Sequence, residues 1–415
     1  MRAMSWLRGR PREYLTRCWE WRELLLAVAL GLWLAGFWVA QDGWYHRRAL
    51  AWLVPFLLLG ADRLVASALS VRWLWAVAVL LAWQALSRSW AEPPLVEAGG
   101  AGDAVAVFLL GAALVAVGRR KPFGVWIIGG LAVLGAGVVV YSLGAFYGGP
   151  AHALASDRFR NVLVYRDLGG LNPVLTGMLC ASGAVAAAWF TLRNNGWRGK
   201  IPWSLALAVL VFGMMASQSR GPALGFGAGL GILLFLERRT CLSAGITIVA
   251  VVGGYFLAVL WSGVPPRLIE RGSTGRGAIY QWFLERLSGT ELLVGRGFGT
   301  VSEIPAGELG WFVHHPHSSY LTQLVLAGLL GLGLLLMVLG WSLREAWREG
   351  NRGQSLWAAL LACGLVSLLF DGAEMFTLHS VPRLELLLVV VPACLLAGQA
   401  FEQQRGPGGS SAQQE

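Results

Sequence analysis

Charged side chains are scarce in this sequence. Asp, Glu, Lys and Arg make up 13% of its 415 residues, whereas hydrophobic residues make up 56%. A soluble globular domain has about 25% charged and about 45–50% apolar residues. So little charge in so long a chain excludes an ordinary soluble domain. It predicts an all-α polytopic membrane protein, because helices satisfy their own backbone hydrogen bonds in lipid.

The sequence also lacks closely spaced cysteines and Asp-x-Asp pairs. The five cysteines occur singly, with no Cys-x-x-Cys spacing, so neither a disulfide framework nor a cysteine zinc site is expected. The sequence has no Asp-x-Asp pair either. We therefore predict no metal and no other cofactor. The formal net charge is +10, but no basic stripe alternates with aromatic residues on a soluble face. We expect membrane lipids, and not nucleic acid, as partners of these basic residues.

Long apolar segments recur along the chain. A membrane-spanning helix needs about 20 mostly apolar residues. The sequence predicts twelve such spans, at 24–40, 49–67, 73–87, 103–118, 123–145, 171–192, 201–218, 221–236, 242–261, 320–342, 354–370 and 384–400. The first apolar run is not followed by a small-residue cleavage site, so we predict that it is a retained span.

Four regions follow from these spans. Residues 1–261 hold the first nine spans, 262–319 form a long polar loop, and 320–400 hold the last three spans. Residues 401–415 are rich in Gly, Ser and Gln and are predicted to be a disordered tail.

Basic residues set the predicted orientation. Arginine and lysine gather in the N-terminal tail and in the connectors after spans four, six, eight and ten. Because cytoplasmic loops carry the excess of basic residues, both termini are predicted to be cytoplasmic. The two longer loops, 146–170 (the first outer loop) and 262–319 (the second outer loop), are then predicted to face the other side.

Several arginines break this rule. They are Arg158, Arg160 and Arg166 in the first outer loop, Arg267, Arg271, Arg276, Arg286 and Arg296 in the second, and Arg220 at the outer end of span seven. The planar fork of a guanidinium is well suited to phosphate, so we predict a bound anion. For the arginines of the first outer loop the alternative is pairing with neighbouring aspartates. For Arg220 it is an ordinary hairpin with a snorkelling side chain.

The second outer loop is predicted to contain a helix over about 276–287, ended by Ser288-Gly289. Ile279, Trp282 and Phe283 follow helical spacing. Arg276 and Tyr280 are one turn apart and are expected to share its polar side.

The strongest chemical signal is His315-Pro316-His317-Ser318, just before span ten. A histidine has an unperturbed pKa of about 6.5 and can accept a proton from a hydroxyl group near neutral pH. The alternative is a histidine that caps the helix opening at Ser318-Ser319. Asp371 and Glu374, after span eleven, could orient His317 or an arginine, but the sequence favours the interpretation that they are a solvated span end.

These motifs carry a family resemblance. His317-Ser318, nine residues and then Gly328-Leu329-Leu330-Gly331 resemble the His-(Asn/Ser/Gln)-x9-Gly-x-x-Gly signature of bacterial lipopolysaccharide O-antigen ligases. Ser217-Gln218-Ser219-Arg220-Gly221 is similar to an element of the wider O-antigen ligase and polymerase superfamily. So are Gly275-Arg276-Gly277 with Trp282 and the run 292–299.

The resemblance implies a GT-C-like inverting membrane glycosyltransferase of the bacterial inner membrane. Its reaction would move O-antigen polysaccharide from undecaprenyl pyrophosphate to a sugar hydroxyl of lipid A-core, at the periplasmic face and without metal. His317 would then be the base, and Arg220 and Arg276 would bind the pyrophosphate. The expected substrate-binding residues are His315, Arg158, Arg160, Arg166, Arg267, Arg271 and Tyr280.

Three alternatives remain open. An O-antigen polymerase or a protein O-oligosaccharyltransferase would share the lipid-linked donor. The polymerase-like branch usually has Asn where this chain has Ser318, which favours the ligase. A flippase or another transporter of lipid-linked oligosaccharides belongs to a different class. A transporter is expected to have mid-membrane charges and an internal repeat, whereas the charges here collect at one face.

Overall fold

A computed structural model describes residues 10–40, 45–91, 101–149, 152–154, 157–164, 170–237, 242–261, 275–300, 303–310, 313, 315–377 and 383–405. These residues form helices and connecting loops, and one isolated antiparallel bridge joins Ile304 to Val313. The all-α prediction is therefore confirmed for the described part of the chain.

The helices are, in chain order, α1 (Arg10–Val39), α2 (Tyr45–Leu59), α3 (Ala61–Ser70), α4 (Arg72–Ser87), α5 (Ala101–Gly118), α6 (Lys121–Tyr147), α7 (Pro173–Arg193), α8 (Trp197–Ala216), α9 (Arg220–Glu237), α10 (Leu242–Trp261), α11 (Arg276–Glu285), α12 (Gly289–Val294), α13 (Ala306–Leu309), α14 (Ser319–Asn351), α15 (Ser355–Phe370) and α16 (Val391–Arg405). A 3-10 turn, Arg88–Trp90, follows α4, and a π-helical turn, Leu386–Val390, leads into α16.

Seven helices of the described chain are long and apolar enough to cross a membrane, and the number is eight if the bent pair α2 and α3 counts as one span. The protein is a multi-pass membrane protein. The other four predicted spans are helical as α4, α9, α10 and α15, but the number twelve stays a prediction. The predicted span 49–67 is bent: α2 and α3 meet at an angle of 86° around Gly60, and Asp62 and Arg63 lie just beyond the bend.

Polar contacts sort the helix termini into two ends. At one end, which we call the basic end, ion pairs and hydrogen bonds join connectors that are far apart in sequence: Arg120 to Glu23 at 2.6 Å, Arg119 to Glu402 at 3.1 Å, Arg193 to Glu237 at 2.9 Å and Arg352 to Gln403 at 3.3 Å. These are the connectors that the arginine pattern predicts to lie together. Helix α16 continues through Arg405, so the predicted disordered tail does not begin at residue 401.

The opposite end, which we call the histidine end, carries His317 and the described parts of the two outer loops. Phe159 N donates to Ala216 O at 3.0 Å, and Phe298 N donates to Ser87 Oγ at 3.2 Å. The described parts of the outer loops therefore pack on helix ends that the topology predicts to lie on the outer side.

Glycines allow helices α9 and α15 to touch closely. A Cβ on Gly225 would lie 2.6 Å from Cys363 O, and one on Gly229 would lie 2.7 Å from Ala359 O. Small residues at this spacing are typical of tightly packed membrane helices. This contact brings the N-terminus of α9, with Arg220, against the last turn of α15.

Helix α14 is broken at Gly328, the first glycine of the signature. Gly328 has φ 68° and ψ −172°, a conformation that is essentially restricted to glycine. The break leaves three preceding carbonyls without a helical partner. Val325 O accepts a hydrogen bond from Arg296 N at 2.9 Å, and Leu326 O accepts one from Gly297 N at 2.9 Å. Ala327 O accepts one from Trp83 Nε1 at 3.0 Å. The second outer loop is thus hydrogen-bonded to α14 at this break.

The helix predicted in the second outer loop is confirmed as α11, with α12 following Ser288. Ile279 and Phe283 are buried against Val325 of α14 and the bridge residues Ile304 and Val313. Helix α11 is therefore held over the start of α14, where the histidines lie.

Candidate functional site

His317 lies in the turn that enters α14. Its backbone has φ 55°, in the left-handed region that residues with a side chain rarely adopt. The residue at the helix N-cap position is Ser318, and no side chain caps the helix there. The interpretation of His317 as a capping residue is therefore wrong. The His317 ring points instead to Asp371, with 3.1 Å between Nδ1 and Oδ1.

Asp371 is the first residue after α15, and it is only 7% exposed. Its Oδ1 also accepts the Gly372 amide at 2.9 Å. Burial raises the pKa of Asp371, but the hydrogen bond and charge of His317, the charge of His315 and the Gly372 amide outweigh that effect and leave the pKa below its usual value. The interpretation of Asp371 as part of a solvated span end is therefore wrong. Glu374 forms a separate pair with Arg383 at 2.8 Å.

This contact determines the tautomer of the neutral His317 ring. An ionised carboxylate only accepts hydrogen bonds, so Nδ1 must carry the proton and Nε2 is left as an acceptor. The His317 side chain is 35% exposed, so the ring is partly accessible to solvent. A buried carboxylate that orients a histidine in this way is the arrangement used to position a general base.

His315 stabilises the turn that contains His317. Its Nδ1 accepts the backbone N–H of His317 at 3.1 Å, and the two rings are 4.3 Å apart. Burial, and next the charge of His317, lower the pKa of His315 to about 4. His315 is therefore neutral near pH 7, which suits an Nδ1 that accepts a hydrogen bond, and the contact stabilises the unusual backbone conformation of His317.

Tyr280 ties α11 to this cluster. Its hydroxyl lies 3.3 Å from His317 O and 3.0 Å from Leu369 O, so it can donate to either carbonyl. Burial raises the pKa of Tyr280, the charge of Arg276 lowers it, and that of Asp371 raises it. Arg276 and Tyr280 are one turn apart in α11 and so lie on the same side of that helix, as predicted. The charges of Arg276 and Asp371 both act on the Tyr280 hydroxyl.

Arg220 begins α9 at the same end of the bundle. A Cβ on the next residue, Gly221, would lie 3.0 Å from the Cβ of Phe370, which directly precedes Asp371. The backbone beside Arg220 therefore packs against Phe370, next to Asp371. Residues of three distant segments, at 217–221, 275–280 and 315–318, thus lie around the C-terminal end of α15.

Arg158 braces the turn that precedes Arg220. Its Nε donates to Ser217 O at 3.1 Å, and its Nη2 donates to Ser219 Oγ at 2.6 Å. The carboxylate of Asp157 accepts from Ala153 N at 2.8 Å. Arg158 therefore supports this turn, and its use as a substrate ligand stays a prediction.

Arg160 faces a separate cavity of about 470 Å³. The cavity is also lined by His152, Asp157 and Asn172, and the His152 ring is stacked on Phe146. Among the described residues Arg160 makes no side-chain hydrogen bond or ion pair. It remains a candidate anion ligand at the histidine end.

Two arginines of the second outer loop are used within the loop itself. Arg286 pairs with Glu308 at 2.9 Å, and Arg296 lies 3.4 Å from Glu291 and donates to Arg286 O. Both arginines therefore have carboxylate partners within the loop, and their binding of an anion stays a prediction. Arg166, Arg267 and Arg271, which are also predicted ligands, lie outside the described residues.

The His315, His317 and Asp371 side chains have ligand atoms within 4.8 Å of one another, a spacing that could hold a metal ion. The Nδ1 atoms of both histidines and Oδ1 of Asp371 are already joined in the hydrogen bonds described above. A metal would have to replace those bonds or use Nε2. The geometry therefore accounts for all three side chains through hydrogen bonding.

Asp371 is the partner that the sequence did not select. It lies 54 residues after His317, at the end of an apolar helix, and no local pattern links the two. A carboxylate at the outer end of a span is the one signal that pointed to it.

Comparisons of this chain with protein-family models and with curated proteins find no match to either.

Proposed function

We propose that this protein is a membrane glycosyltransferase of the O-antigen ligase type. It transfers a polysaccharide from undecaprenyl pyrophosphate to a sugar hydroxyl of lipid A-core at the periplasmic face of the bacterial inner membrane. The observation that carries the proposal is the Asp371–His317 pair, in which a buried carboxylate leaves Nε2 of the neutral imidazole as an acceptor. The resemblance of the surrounding motifs to the ligase signature supports the choice of substrates.

The chemistry is a single displacement. Nε2 of His317 accepts the proton of the acceptor hydroxyl as its oxygen attacks the anomeric carbon of the donor sugar. The bond from that carbon to the pyrophosphate oxygen breaks, and its electron pair leaves with the pyrophosphate. Attack from the face opposite the leaving group inverts the anomeric configuration. General-base assistance of this kind contributes about 10²- to 10⁴-fold in rate.

Two arginines stabilise the leaving group. Arg276 lies beside Tyr280 in the cluster, and Arg220 begins the helix packed against the last turn of α15. A cation placed where charge develops is worth more in a site that excludes water than in bulk solvent. Asp371, Tyr280 and His315 position His317 and are not required to touch the substrate.

The test is complementation of a ligase-deficient bacterium, read as the lipopolysaccharide ladder on a gel. Wild type, His317→Ala and the matched control His152→Ala are compared at equal membrane expression. His152 lies in the first outer loop and stacks on Phe146, so its change removes a histidine from the same end of the protein. We expect the ladder with wild type and His152→Ala and no ladder with His317→Ala.

Two outcomes contradict the proposal in different ways. If wild type restores no ladder while lipid-linked polymer accumulates, the ligase assignment fails, and the polymerase or flippase alternatives take its place. If His317→Ala restores the ladder as well as wild type, the role of His317 as base fails, and the arginines would have to account for catalysis.

A further inference from the structure

A second site lies at the basic end of the bundle, where the proposed reaction does not take place. A cavity of about 520 Å³ opens between α4, α14 and α16. Trp73, Trp341 and Leu396 form apolar parts of its lining, and Ala393, Ala397 and Ala400 contribute a small-residue face of α16. The cavity is therefore a groove with room for hydrocarbon between three helices.

The mouth of the groove is positively charged. Its lining contains Arg72, Arg344 and Arg348 but one carboxylate, Glu345. Arg348 is paired with Glu345 at 2.8 Å. Within the described part of the chain, Arg72 and Arg344 make no side-chain hydrogen bond or ion pair. Among the residues that the structure describes, these two guanidinium groups at the edge of the apolar groove thus have no counter-ion.

One wall of the groove is formed by Trp73, whose side chain is hydrogen-bonded to α14. Trp73 Nε1 donates to Ser342 Oγ at 2.9 Å, so the indole is fastened to α14 and does not fill the space. Arg72 is the first residue of α4 and Arg344 lies in the last turns of α14, and both side chains are exposed. Charge at the rim and apolar surface beneath it match the layered chemistry of a membrane lipid.

We propose that this groove binds an anionic glycerophospholipid. Arg72 and Arg344 contact the phosphate headgroup, and an acyl chain lies along Leu396 and Ala397. A soluble phosphate would not use the apolar wall. A zwitterionic lipid would bring an ammonium group to a rim whose carboxylate is already paired with Arg348. Basic pockets between membrane helices on the cytoplasmic side are suited to anionic headgroups, and the arginine pattern predicts that this end is cytoplasmic.

The experiment measures lipid binding by purified, delipidated full-length protein, using native mass spectrometry and the lipid-induced rise in melting temperature. The probes are phosphatidylglycerol, phosphatidylcholine and soluble glycerol phosphate. The rim variant is Arg72→Gln with Arg344→Gln. The matched control is Arg198→Gln with Lys200→Gln, which removes two charges in the first turn of α8, at the same end but outside the groove.

We expect phosphatidylglycerol to bind wild type and the matched control alike, with at least tenfold weaker binding to the rim variant. A third variant, Ala397→Phe, fills the groove without changing charge and should also weaken binding. Equal binding of phosphatidylcholine, equal loss in the matched control, or full competition by glycerol phosphate would each overturn the proposal. A rim variant that does not fold would leave Ala397→Phe to decide, because unchanged binding by that variant excludes the groove.

Discussion

Replacing Asp371 tests the candidate site most directly, because Asp371→Asn and Asp371→Ala are expected to lower kcat by different amounts. In Asp371→Asn the side chain keeps its shape and loses its charge. Since the Gly372 amide and His317 Nδ1 both contact Oδ1, the asparagine should place its carbonyl oxygen at that position to satisfy Gly372. The His317 tautomer is then retained, and only the strength of the bond changes.

The size of that loss follows from the bond. A hydrogen bond to a charged group is worth about 1.5–3 kcal/mol net, and each 1.36 kcal/mol is tenfold in rate. We therefore expect kcat to fall about 10- to 100-fold in Asp371→Asn. Asp371→Ala removes the acceptor altogether and frees the ring, so kcat should fall by about 10²- to 10⁴-fold, the usual contribution of a general base.

The assay uses purified protein with a lipid pyrophosphate-linked donor and a lipid A-core acceptor, and it separates kcat from KM. Because Asp371 acts through His317, KM for the donor should change little. The double variant His317→Ala with Asp371→Ala should be no slower than His317→Ala alone, since coupled residues are not additive. The matched control is Glu374→Gln, which loses a carboxylate charge three residues away but pairs with Arg383 and not with His317.

Equal kcat values for wild type and Asp371→Ala would show that Asp371 does not position His317 for catalysis. So would a double variant that is slower than His317→Ala by the full effect of Asp371→Ala, because Asp371 would then act independently of His317.

The break in α14 should not tolerate a side chain. Gly328→Ala would place Cβ 2.5 Å from Gly295 N at φ 68°, so we expect a lower melting temperature and lost activity. Gly333→Ala, with nothing within 4 Å, should be neutral or stabilising by up to about 1 kcal/mol. His315 should make stability depend on pH. Its pKa is about 4 in the folded protein and about 6.5 unfolded, so stability present above pH 6.5 falls by about 3 kcal/mol as pH drops toward 4. The melting temperature of His315→Gln should change less over that range. Activity should also survive removal of divalent ions by EDTA; loss that Mn²⁺ or Zn²⁺ restores would instead assign His315, His317 and Asp371 as metal ligands.

Features that depend on short stretches of chain could be predicted from the sequence. Apolar runs of membrane length predict helices because lipid offers no partner for a free backbone group. The arginine pattern predicted which connectors share an end, and the ion pairs Arg119–Glu402 and Arg193–Glu237 confirm that grouping. Helical spacing likewise predicted α11 and the shared side of Arg276 and Tyr280.

Which of the candidate residues lie together could be seen only in the folded protein. The pairing of His317 with Asp371 depends on where α14 begins and where α15 ends in space, and Asp371 alone looks like a solvated span end. The local pairs of Arg286 and Arg296, and the support that Arg158 gives to the turn before Arg220, were equally hidden. The physical reason is that hydropathy fixes helices one at a time, whereas a hydrogen bond between side chains depends on ångström-scale packing among several of them.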